Sequence, residues 1–162
     1  MYMAKDLMVS WLRDVHGLEG AKVEAIRHML KDFEGHTDIQ DRLEEYSKRS
    51  EQQAAEIEAI LQQLDEKAST GKSLIGKLTA MIPGIGSDLY RDRVVKDMLV
   101  LHAAAHFSHA CYVSLAEGAK HYGSNELMGR AQEIAHQEEE MGRWFLDQIP
   151  PLTDKVLMEQ NK

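Results

Sequence analysis

Residues 5–33, KDLMVSWLRDVHGLEGAKVEAIRHMLKDF, place Met8, Leu12, Val15, Glu19, Lys22, Ile26, Met29 and Phe33 at steps of three and four. Such spacing keeps all eight on one side of a helix with 3.6 residues per turn. Trp11 and Leu18 widen the stripe. The pattern predicts a first helix over about 5–33. Gly35-His36-Thr37-Asp38 then breaks it, with Thr37 or Asp38 able to cap the next helix.

The same period recurs three times. Ile39, Leu43, Tyr46, Ser50, Ala54, Ile57, Leu61 and Leu64 predict a helix over about 39–66, aliphatic at both ends and polar in the middle at Tyr46, Arg49, Ser50 and Gln53. Val94, Met98, Leu101, Ala105, Ser108, Tyr112, Leu115 and Ala119 predict a third over about 88–121. Leu127, Ala131, Ile134, Glu138, Met141, Phe145 and Ile149 predict a fourth over about 125–148, ending before Pro150-Pro151. Tyr122-Gly123-Ser124-Asn125 is the turn between the last two.

Short turns make helices 1 and 2, and helices 3 and 4, antiparallel neighbours. Residues 67–90 are too long for a turn. Within them Ser73 can cap a short helix, about 73–81, that Pro83-Gly84-Ile85-Gly86 ends. The expectation is one all-α domain spanning 1–162: two antiparallel hairpins joined by a long crossover that contains a short helix.

Composition agrees. Apolar residues make up 43% and charged residues 28%, and the good helix formers dominate. A formal net charge of −8, with no basic stripe, argues against nucleic acid as a partner. The start Met1-Tyr2-Met3-Ala4-Lys5-Asp6 lacks an apolar signal core, and no apolar run nears 18 residues, so neither a membrane nor export is expected. The single cysteine, Cys111, suits a reducing compartment, and the cytoplasm is the expected location.

Polar residues inside the seams are the candidate chemistry. Glu19 and Glu138 are the one acid in their respective seams, and a buried carboxylate needs a cation, a proton or a hydrogen-bond network. Metal ligation is one answer; an ion pair or a seam-edge position reaching water is the plainer one. His102, His106 and His109 fall on one stripe of helix 3 with Val95, Leu99 and Val113. Imidazoles so placed can share zinc or another transition metal, although packed or partly exposed histidines are the simpler account. Glu133 and His136 have the spacing of a di-iron motif but share a face with Gly129, Glu140 and Arg143, which reads as solvated. The sequence has no phosphate loop, nucleophile elbow or Cys-x-x-Cys.

Four segments carry a family resemblance: Leu12-Arg13-Asp14-Val15-His16-Gly17-Leu18-Glu19, Arg42 through Gln53, His106 through Leu115, and Glu138-Glu139-Glu140-Met141 with Trp144-Phe145-Leu146. Over nearly its whole length the chain resembles the YciE/YciF-like stress-protein family of ferritin-like four-helix bundles. The resemblance implies a homodimer and a di-iron centre drawn from all four helices, in which Glu19, His106 and Glu138 match ligand positions. Elsewhere the chain departs. Tyr46 stands where the family tends to have His, and Arg49-Ser50 where it has Glu-Thr. Ala105-His106-Phe107-Ser108 replaces Glu-His-x-Glu, and Gln137 replaces an acid.

A di-metal site needs about four carboxylates to offset two cations, and an arginine beside it repels metal. Arg49 is therefore expected to enter the space of the metal and pair with Glu19, Glu138 or both, with Tyr46 as the second replacement. The resulting expectation is a stress-associated protein with a degenerate centre. It would be non-catalytic, hold no cofactor or weakly held iron, and act as a homodimer. The alternative is a di-iron ferroxidase-like oxidoreductase using Glu19, His106 and Glu138.

Overall fold

The computed structural model describes residues 4–68 and 91–160. Helix α1 spans Ala4–Met29 and tightens into a 3-10 turn, Leu30–Phe33. Helix α2 spans Thr37–Gln63, α3 spans Arg93–Tyr122 and α4 spans Asn125–Gln160. α1 packs on α2 and on α3, and α3 packs on α4, as two antiparallel hairpins side by side. The short helix expected at 73–81 lies outside the described residues.

The turns follow from local chemistry. Gly35 at φ +85° and Gly123 at φ +80° supply the left-handed backbone that a side chain resists. After Gly123 the amide of Ser124 bonds back to the carbonyl of Ala119 at 2.9 Å, closing the end of α3. Ser124 Oγ then accepts the amide of Leu127 and opens α4. At the start of α2 the expected cap is absent. The helix begins two residues earlier, at Thr37 after His36, without a side-chain cap bond.

One expectation needs correction. α4 runs through Pro150 and Pro151 to Gln160, twelve residues past the predicted end at Gln148. Each proline removes an amide from the helix ladder, a loss of about 3 kcal/mol in an isolated helix. Packing overrides it: Leu152 is buried in the core, and Thr153 Oγ1 ties back to the carbonyl of Ile149 at 2.8 Å. Trp11 and Leu18, which widen the α1 stripe, also pack inside the bundle. Leu18 is buried, and Trp11 packs on Gly118 of α3.

α3 is apolar around most of its circumference. It contains an 18-residue window of mean hydropathy 1.2, long and apolar enough to cross a membrane by composition, although no apolar run of that length was expected. Its inward residues, among them Met98, Leu101, Ala105, Tyr112 and Leu115, are buried in the bundle.

The interior is divided along the bundle axis. One apolar cluster gathers Leu12, Val15, Ile57, Leu61, Tyr112, Leu115, Ala131 and Ile134. The other gathers Ile26, Phe33, Leu43, Tyr46, Met98, Leu101, Met141 and Phe145. Between them, in the middle of every helix, lies a slice of polar side chains: Glu19, Lys22, Ser50, Gln53, Ser108 and Glu138, none more than 2% exposed.

Candidate ion cluster at the bundle centre

α1 contributes Glu19 and Lys22, one turn apart on the same seam. Nζ of Lys22 lies 2.8 Å from Oε2 of Glu19 and 3.0 Å from Oε1 of Glu138, and donates to Oγ of Ser108 at 3.3 Å. The tyrosines hold the outer carboxylate oxygens. Tyr112 OH donates to Oε1 of Glu19 at 2.7 Å, and Tyr46 OH donates to Oε2 of Glu138 at 2.6 Å. The ammonium also sits 5.1 Å from the centre of the Tyr46 ring, within cation–π range. All four helices thus meet on one buried lysine.

The electrostatics fit a charged cluster. Burial works against the Lys22 ammonium, but Glu19 and Glu138 outweigh it and hold the lysine above its ordinary value. Burial pushes the Glu19 carboxyl up, Lys22 opposes that push, and the charge of Glu138 adds to it. Both phenols are raised well above their ordinary value, first by burial and then by the carboxylates they face, so they remain protonated donors. Oε2 of Glu19 receives no well-directed hydrogen bond among the described residues, so its contact with Lys22 is an ion pair held by proximity. Ser50 Oγ and Gln53 Oε1 are likewise buried without partners among the described residues, which marks the slice as wide enough to leave donors out of reach.

The expected site residues separate into three groups. Glu19, Glu138 and Tyr46 come together at the centre. Arg49 does not join them: its guanidinium pairs with Oε1 of Glu45 at 3.3 Å on the same helix, with the side chain 26% exposed. One position before buried Ser50, Arg49 points about 100° away from the seam. The cation at the centre is Lys22, which already stood in the α1 seam three residues after Glu19. An unbroken step of three between an acid and a lysine in an otherwise apolar stripe was the signal that could have found it.

The histidines lie elsewhere. His102 and His109 are half-buried and turned to α4, where Nδ1 of each meets a backbone carbonyl, Gly142 at 2.8 Å and Ala135 at 2.7 Å. His106 is exposed beside them. The discarded Glu133–His136 pair is solvated as expected, with His136 70% exposed and 3.4 Å from Glu140.

The di-iron centre implied by resemblance does not fit these residues. Its carboxylate count falls from about four to two. The space between the two carboxylates holds an ammonium within 3.0 Å of both, which competes with and repels a metal cation. Among the described residues no group of three or more His, Cys, Asp or Glu side chains could hold a metal ion.

Comparison with known proteins agrees with the architecture. The chain is similar over 99% of its length to all of a crystal structure of a protein from Xanthomonas campestris pv. campestris, with a TM-score of 0.83 at 22% identity. Residues 3–158 match the family described as "Domain of unknown function (DUF892)". On that match the chain belongs to the DUF892 family, within the ferritin-like superfamily.

Proposed function

We propose that this protein is a ferritin-like, stress-associated bundle of the YciE/YciF kind whose di-metal centre has become a buried ion cluster. It acts without redox catalysis, through its outer surface, as a homodimer in the cytoplasm. One observation carries the reading: the Lys22 ammonium between Glu19 and Glu138. A lysine there satisfies the two carboxylates that a metal would otherwise neutralise, and does so without exchange with solvent.

Support for a dimer comes from α3. From Met98 to Ala116 it carries no Asp, Glu, Lys or Arg, yet Leu99 and Val113 are each 50% exposed. Apolar surface of that kind on a chain of net charge −8 suits a second copy better than an anionic membrane or a nucleic acid.

The ferroxidase-like alternative requires His106 to join Glu19 and Glu138, whereas its ring packs outside the seam against Gly142. Metal analysis after incubation with excess Fe(II) and desalting separates the two readings. The expected content is far below one iron per chain; two irons per chain would end the proposal. Light scattering at tens of micromolar should give twice the chain mass.

A further inference from the structure

The histidines on α3 are arranged differently from ordinary surface histidines. A carbonyl only accepts hydrogen bonds, so Nδ1 of His102, 2.8 Å from the Gly142 carbonyl, must carry the proton. In the neutral ring this leaves Nε2 with a free lone pair. His109 is fixed the same way by the Ala135 carbonyl. A backbone carbonyl that takes one ring N–H is the outer partner that metal-ligating histidines use to set tautomer and orientation.

His106 completes a pair. It follows His102 by four residues, and the two ring centres are 4.4 Å apart at an interplanar angle of 72°. Gly142 makes the space on α4: a Cβ there would fall 3.1 Å from Nε2 of His106. Because His106 is exposed, its ring can turn toward His102 with little repacking.

We propose that His102 and His106 form a surface site for a divalent transition cation, in the groove between α3 and α4 and separate from the closed centre of the bundle. Two imidazoles suit Cu(II), Ni(II) or Zn(II) over Mg(II) or Ca(II). In the single chain water fills the remaining positions and the fold does not depend on the cation; His106 lies between Leu99 and Val113 on α3, so seating a second copy on that stripe covers the site. The nearby charges of α4, Glu139 and Arg143, are paired with each other at 2.8 Å.

The test is calorimetric titration of Ni(II) and then Zn(II), at pH 7.5, into the parent chain and its His102→Ala, His106→Ala and His136→Ala variants. Imidazole NMR resonances report which rings respond. The expected result is weakening by about tenfold or more in the first two variants, since losing a ligand should cost at least what losing its outer partner does. His136→Ala should bind like the parent, and His102 and His106 should shift first. His106→Gln, at an exposed position, replaces any variant that fails to fold. Parent-like binding in His102→Ala and His106→Ala overturns the site, as does equal weakening in His136→Ala.

Discussion

Lys22 and Glu19, one helical turn apart on α1, form an ion pair of 2.8 Å with 1% and 0% of their side chains exposed. Glu138 reaches the same ammonium from α4, the last helix in the chain. A pair this deep contributes less through its own attraction than through the penalty for breaking it, because either charge alone is stranded away from water.

Replacing Lys22 by Met keeps the volume and removes the charge. Lys22→Met should destabilise the fold by about 3–5 kcal/mol at pH 7, measured by urea unfolding. Without the ammonium the Glu19 carboxyl, already raised by burial, rises further. An acid raised in the folded state stabilises it at low pH and loses that contribution as pH climbs through the folded value. The deficit of the variant should therefore shrink toward pH 4. Arg49→Ala, which removes a partly exposed pair with Glu45, should cost only about 0.2–1 kcal/mol. Equal losses in the two variants would remove Lys22 from the centre of the account.

The tyrosines should behave as partners of ionised groups. Tyr112→Phe and Tyr46→Phe each remove one hydrogen bond to a buried carboxylate, an expected loss of about 1.5–3 kcal/mol. A double-mutant cycle of Tyr46→Phe with Glu138→Gln should show strong coupling, whereas Tyr112→Phe with Glu138→Gln should couple less. Additive losses in the first cycle would contradict the hydrogen bond.

A second titration lies near the junction of α1 and α3. Burial first, then the neighbouring Asp32 carboxylate and its hydrogen bond, raise Asp97 to about 7 against the pull of Arg93. The sign is that of a raised acid: its stabilisation is complete below about 4 and fades as pH rises through about 7. Asp97→Asn should raise the melting temperature at pH 8 and raise it clearly less at pH 5. A gain that is the same at both values would assign the effect to packing.

Gly118 sets two helix effects against each other. Alanine normally favours a helix by about 1 kcal/mol over glycine. Here a Cβ would lie 2.6 Å from Cζ3 of Trp11 and 2.8 Å from Sδ of Met8. Overpacking of this kind costs about 1–3 kcal/mol, so Gly118→Ala should lower stability on balance. It should also shift Trp11 fluorescence, read in a Trp144→Phe background.

The bundle was legible in the sequence because hydrophobic period is a local property. Each seam alternates at steps of three and four, and the turns at Gly35 and Gly123 need a backbone that glycine adopts readily. Glu19 and Glu138 were visible for the same reason, as single acids in apolar stripes. Three things required tertiary structure. α4 continues through Pro150 and Pro151 because Leu152 is buried against other helices, which outweighs a local rule. His102 and His109 meet backbone carbonyls of α4, a contact that no single-helix pattern reveals. The cation between Glu19 and Glu138 is Lys22 and not Arg49, because which side chain fills a shared interior depends on the relative rotation of four helices. The sequence determines each stripe; only their packing decides which charges meet.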